Sequence, residues 1–149
     1  MLEWLRLRLG RRSTRTSRRR LGDRGEAIAA RYLSGLGYRI VARNVLVPLD
    51  ATPSRRAVVA EIDAIAYDGA TLVFVEVKTR RREGLFPIER AVDARKRRLM
   101  ARAARRYRRF YGLAGEPYRF EIVTVLLPRD GPPRVRCLKS RAGAFKNAI

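Results

Sequence analysis

The sequence contains no histidine and one cysteine, Cys137. Without histidine there is no Ser-His-Asp or Cys-His catalysis and no imidazole metal ligand. One thiol can form neither an internal disulfide nor a Cys-rich zinc site. In its short β-rich stretch Cys137 reads as buried filler. Any metal must therefore be held by oxygen, which favours Mg2+, Mn2+ or Ca2+. No apolar run approaches the roughly 18 residues that span a membrane. The opening stretch from Met1 to Leu9 is too broken by Arg6 and Arg8 for the apolar part of a signal peptide, so a cytoplasmic protein is expected.

Acids are scarce as well. Asp+Glu number 14 against 35 Lys+Arg, for a net charge of +21 in 149 residues. A globular chain this basic repels itself at low salt unless it meets a polyanion. Nucleic acid is the commonest such partner, with a ribosomal surface or an anionic membrane as the others. Most of the cations are Arg, whose planar fork matches phosphate oxygens. A GC-rich genome would raise Arg over Lys, but it does not explain the shortage of acids. Hydrophobic residues still make up 46% of the chain, enough for the core of one domain.

Residues 1–20 read as a basic, disordered arm, because the stretch from Arg11 to Arg20 has no apolar periodicity. Such an arm can grip phosphate, lie on a membrane through Leu2, Trp4, Leu5 and Leu9, or simply be solvated. A domain is expected over 21–149. Asp23 and Glu26 resemble a capping pair at a helix start. Ala29, Tyr32, Leu33 and Leu36 follow at helical spacing, Gly37 ends the helix, and Glu26 falls on the buried stripe or its rim. Strands are expected over 38–44, 57–67, 71–79, 118–127 and 135–138. A long loop is expected over 45–56, and a helical turn over 88–92. Asp93 is placed to cap a helix running to Tyr111, closed by Gly112. Its apolar face carries Leu99, Met100, Ala103, Ala104, Tyr107 and Tyr111, and its other face is nearly all Arg. The order is α-β-β-β-α-β with a β-rich tail.

The chemistry concentrates on one hairpin. If Asp68-Gly69 form its two-residue turn, Asp63 lies opposite Phe74 and Glu61 opposite Glu76. Strict alternation then puts Glu61, Asp63 and Ile65 on one face with Leu72, Phe74, Glu76 and Lys78. Three carboxylates crowded on paired strands are costly and hold protons too tightly for neutral pH. Lys78 or a hard divalent cation would relieve them. A cation there would polarise a scissile phosphate and lower the pKa of water, with Lys78 orienting that water or steadying the phosphate. An exposed sheet face in which Lys78 merely pairs with Glu76 or Glu61 fits the same spacing.

Several blocks together resemble the YraN family of bacterial endonuclease-like proteins. They are Gly25-Glu26 with Ala29-Ala30-Arg31-Tyr32-Leu33, Gly37-Tyr38-Arg39-Ile40 and Arg43-Asn44. Glu61-Ile62-Asp63-Ala64-Ile65-Ala66 and Leu72 to Arg80 follow. Ala91-Val92-Asp93 with Lys96-Arg97, and Tyr118 to Val123, complete the set. That family resembles the PD-(D/E)XK nucleases. The resemblance implies an α/β, restriction-endonuclease-like αβββαβ core, a mixed central sheet flanked by helices. It also implies Mg2+ or Mn2+ held by Asp63 and Glu76, completed by Lys78. Glu26 would reach in from the first helix, and Glu61 and Lys96 would support the site. Ala60 stands where the family usually has Gly, and the loop over 45–56 is longer than the family's.

The Arg face of the long helix, with Arg95, Arg97, Arg98, Arg102, Arg105, Arg106, Arg108 and Arg109, can follow a phosphate backbone together with Arg80; a solvated face is the plainer alternative. Tyr107, Phe110, Tyr111 and Trp4 can stack on bases, although periodicity assigns Tyr107 and Tyr111 to the core. The expectation is a metal-dependent endonuclease acting on DNA, with branched or repair intermediates among its substrates. The alternatives are a non-catalytic nucleic-acid-binding module and a peripheral membrane protein. A homodimer would suit cutting of two strands, but no interface is readable in the sequence.

Overall fold

The computed structural model describes residues 17–50, 58–83 and 88–140. One five-stranded mixed sheet lies between two helices. The elements run α1 (Ser17–Gly35), β1 (Arg39–Pro48), β2 (Val59–Asp68), β3 (Thr71–Arg80), a 3-10 turn at Ile88–Ala91, α2 (Ala94–Phe110), β4 (Tyr118–Leu126) and β5 (Arg134–Ser140). Strand order follows chain order. β1, β2 and β3 form an antiparallel meander, β4 joins β3 in parallel through the α2 crossover, and β5 returns antiparallel. This is the αβββαβ core that the sequence predicts.

Two apolar layers hold it together. On the α2 side, Phe74, Phe120, Ile62, Ile65, Leu72 and Ile122 pack on Met100, Ala103, Ala104 and Tyr107. On the α1 side, Ala64, Ala66, Val73, Val75, Val123 and Val125 pack on Ala29 and Leu33. A strand covered on both faces loses polar alternation, which is why β3 reads Thr-Leu-Val-Phe-Val.

Helix ends follow local chemistry. Asp93 caps α2 by accepting from the Lys96 backbone N–H at 2.7 Å, and Gly112 beyond its end takes φ +69°. Gly37, at φ +90°, closes α1: its N–H donates to Ser34 and the Tyr38 N–H to Leu33, satisfying two end carbonyls.

Several expectations need correction. Ser17–Arg20, placed in the disordered arm, are helical, and Asp23 lies inside α1 rather than at its cap. Arginine is a good helix former, so loss of apolar periodicity does not end a helix. Residues 1–16, and with them the possible roles of Trp4 and the apolar arm residues, lie outside the described residues. β1 runs on to Pro48, through the first third of the expected loop. It is an edge strand, where proline leaves no central ladder bond unmade. Leu36 and Tyr111 are exposed, because each sits just past its helix end where the stripe no longer faces the core. Cys137 is only part-buried, and its thiol donates to a sealed Glu121.

Candidate active site

The β2–β3 turn is centred one residue later than expected. Asp68 pairs with Thr71, so Gly69 and Ala70 are the turn residues, with Gly69 at φ +57°. Ile65, not Asp63, therefore lies opposite Phe74, and the same register continued brings Asp63 opposite Glu76. The paired ladder stops at Ala64 and Val75. Beyond it the Asp63 carboxylate accepts the Val77 backbone N–H at 2.7 Å, so a side chain satisfies a donor that a regular ladder would pair with backbone.

Alternation also fails at this point. Ala60 and Ile62 face α2, yet Ala64 and Ala66 face α1 while Ile65 faces α2. The switch falls at Asp63. Opposite it on β1, Asn44 adopts φ +51°, a left-handed conformation that Asn tolerates better than most residues. The expectation that Glu61, Asp63 and Ile65 share one face is therefore wrong. The local backbone departure re-aims Asp63, as irregularities beside functional sites commonly do. Glu61 points its side chain to solvent and contributes its backbone carbonyl, which accepts from Lys96 Nζ at 3.2 Å.

Glu76 is the centre of the cluster. It is 2% exposed, and its two oxygens lie 3.0 Å from Lys78 Nζ and 3.1 Å from Lys96 Nζ. The chain has only four lysines, at 78, 96, 139 and 146, in a large excess of arginine, and two of the four end on this carboxylate. A lysine is a compact, mobile point charge, suited to following charge that changes during a reaction. The Oε2 atom is sealed from solvent and meets the Lys96 charge without an aligned hydrogen bond, so part of its acceptor capacity is unused.

Asp63 completes the crowding. Its pKa is pushed up to about 7, first by burial and then by repulsion from Glu76 and, more weakly, Glu26; the Val77 N–H and Lys96 oppose the rise. Glu26 arrives from α1 on the other side of the sheet. Its carboxylate accepts from Asn44 Nδ2 at 2.7 Å, and burial raises its pKa. Asn44 thus both takes a left-handed backbone conformation in β1 and fixes Glu26. Sequence reasoning assigned it no role, although an Asn within a strand-like run was the available hint. Gly25 allows the approach: a Cβ there would lie 1.8 Å from Thr79 Oγ1, so α1 rests directly on β3.

The structure thus gathers Asp63, Glu76, Lys78 and Lys96, with Glu26 within electrostatic reach. Among the described residues, no group of three or more His, Cys, Asp or Glu side chains is disposed to enclose an ion. The donor set is two carboxylates, with one acceptor under-used. It fits Mg2+ or Mn2+, which take one or two carboxylates and complete their shell with water and substrate phosphate. It does not fit the many-ligand cage of a structural Ca2+ site.

The predicted arginines divide. Arg80 ends β3 two residues beyond Lys78. Arg95, Arg98 and Arg102 are exposed on α2. Arg97 is turned inward, its Nε donating to the Val92 carbonyl at 3.0 Å, so it braces the turn before α2 instead of joining that surface. No helix among the described residues is long and apolar enough to cross a membrane.

Relatives share most of the chain. A UPF0102 protein of Symbiobacterium thermophilum is 45% identical over 119 residues, 80% of this chain and 91% of its own. One from Moorella thermoacetica is 40% identical over 87% of this chain and 98% of its own. One from Geotalea uraniireducens is 38% identical over 84% and 91%. Residues 25–125 match the profile described as uncharacterised protein family UPF0102, a span holding Glu26, Asp63, Glu76, Lys78 and Lys96. The chain therefore belongs to the UPF0102, or YraN, family.

Proposed function

We propose that this protein is a metal-dependent endonuclease hydrolysing phosphodiester bonds in DNA, with branched or repair intermediates as its substrate class. The observation that carries the reading is the sealed Glu76 carboxylate, met by two lysines and crowded by Asp63 where the β2–β3 ladder opens. Asp63 and Glu76 would hold Mg2+ or Mn2+, which when bound supplies Lewis acidity toward a phosphate and acidifies water. In hydrolysis a water oxygen bonds to phosphorus, the bond to the leaving sugar oxygen breaks, and the water's proton needs an acceptor. Glu26, with its pKa raised by burial, is a better acceptor than an ordinary carboxylate. Lys78, whose side chain is 36% exposed, can swing its ammonium from Glu76 to the phosphate, offsetting negative charge as it develops. Lys96 stays on Glu76 and on the Glu61 carbonyl, holding α2 against the site.

Titration calorimetry with Mn2+ tests the site. Binding to wild type that vanishes in the Asp63→Ala/Glu76→Ala double variant is expected. A wild-type chain that binds no Mn2+, alone or with branched DNA present, contradicts the proposal. One observation favours a second reading: Glu76 already has two cationic partners, as it would in a binding module that has no use for metal. DNA binding in EDTA, with no Mn2+ bound and no substrate cut in Mg2+ or Mn2+, would select that reading.

A further inference from the structure

The arginines of α2 are not spread evenly. Arg95, Arg98, Arg102, Arg105 and Arg109 are all exposed, and their spacing of three, four, three and four residues places them on one stripe. At about 1.5 Å per residue the stripe is roughly 21 Å long. It begins beside Lys96, at the Glu76 end of the helix. At the other end the stripe borders a groove of about 520 Å3, lined by Leu49, Arg102, Arg105, Arg106, Arg109 and Phe110. No carboxylate is among these lining residues. Arg106 donates to the Leu49 carbonyl at 3.3 Å and so joins α2 to the end of β1 as the groove floor. Phe110 is 42% exposed at the rim, with Tyr111 edge-on beside it at 5.0 Å between ring centroids. An exposed phenyl ring among guanidiniums has no folding role that burial would explain, since the apolar face of α2 is already committed to the core through Met100, Ala103, Ala104 and Tyr107.

We infer that this groove binds a single-stranded nucleic-acid segment, with Arg102, Arg105 and Arg109 on its phosphates and Phe110 stacked on a base. The inference rests on the proposed nucleic-acid function and specifies how the strand is held. A duplex hides its base faces and offers only phosphates to such a surface, whereas an unpaired strand can use both features. A volume of about 520 Å3 lies within the ~300–1,000 Å3 usual for ligand-binding clefts. The Arg102–Arg109 separation along the axis, roughly 10 Å, matches about three stacked nucleotides at 3.4 Å each. The arginine stripe leads from there toward Lys96, so an unpaired flap or branch held in the groove lies on the same helix that braces Glu76.

The test is fluorescence anisotropy with the full chain in EDTA, where nothing is cut, using labelled dT15 and a labelled 15-base-pair duplex at several salt concentrations. Phe110→Ala is expected to weaken dT15 binding about tenfold and leave duplex binding unchanged, while Phe110→Trp retains it. Arg105→Glu/Arg109→Glu is expected to weaken dT15 binding at least tenfold more than Arg20→Glu/Arg31→Glu, an equal charge change on the exposed surface of α1. Circular dichroism melting confirms that each variant folds. Equal loss on both probes in Phe110→Ala, no loss on dT15, or a groove double variant no weaker than its control would overturn the inference while leaving the nuclease reading intact. A wild-type chain that binds neither probe would also overturn the inference, and cleavage assays in Mg2+ or Mn2+ would decide the nuclease reading separately.

Discussion

Glu76 and Glu121 are sealed carboxylates on neighbouring parallel strands, and their surroundings differ in kind. Glu121 is closed off: Arg119 donates from Nε at 2.9 Å and from its terminal nitrogen at 2.7 Å, Tyr38 donates at 2.8 Å, and the Cys137 thiol at 3.2 Å. Arg119 also grips Asp68, whose carboxyl it holds below the ordinary range. That network is structural. Replacing Arg119 with Met leaves a buried charge uncompensated and should cost about 3–5 kcal/mol in urea unfolding. Burial and the Glu121 charge push the Cys137 thiol up to about 12. The native chain should therefore resist iodoacetamide at pH 8 and react fully once unfolded, as mass spectrometry would report. Glu76, by contrast, faces two lysines and another acid. The folded chain holds the Asp63 proton up to about pH 7, while the unfolded carboxyl releases it near 3.8. Across that window the folded state binds more protons, so stability falls as pH rises from about 4 to about 7. Asp63→Asn keeps an acceptor for the Val77 N–H and loses the charge. It should melt above wild type at pH 8, with the difference closing by pH 4. A gap independent of pH would contradict this account of the site.

Among the elements, α1 and β1 were the harder to read. β3, the hairpin and α2 follow from local patterns: a doubly covered apolar run, a Gly at a two-residue turn, and Asp93 before an apolar stripe. Asp63, Glu76 and Lys78 were legible on that hairpin, whereas Lys96 was legible only through the family blocks. The switch in strand faces at Asn44 and Asp63 was not, because alternation carries no sign of a backbone departure set by tertiary packing. Nor was the role of Gly25, whose requirement comes from Thr79, 54 positions along the chain. Gly25→Ala must push α1 off β3. It is expected to destabilise the fold by about 1–3 kcal/mol in denaturant unfolding, the usual range for overpacking. Asp93→Ala should cost about 0.5–2 kcal/mol by loss of the α2 cap. Because that cap also sets the start of the helix bearing Lys96, Mn2+ affinity should fall with it.

At the scale of the molecule, a net charge of +21 surrounds a small acidic centre. Under the proposed function such a surface would attract a polyanion without regard to sequence, and its affinity should fall steeply with salt. In the proposed nuclease the acids at the centre would act on what that surface gathers. The most direct test is cleavage of end-labelled branched, duplex and single-stranded DNA in Mg2+ or Mn2+, comparing wild type with Glu76→Ala. Metal-dependent cutting of at least one substrate is expected, abolished by EDTA and lowered at least a hundredfold in Glu76→Ala, with DNA binding retained. Absence of cutting on every substrate in either metal, or cutting that Glu76→Ala leaves intact, would contradict the nuclease reading.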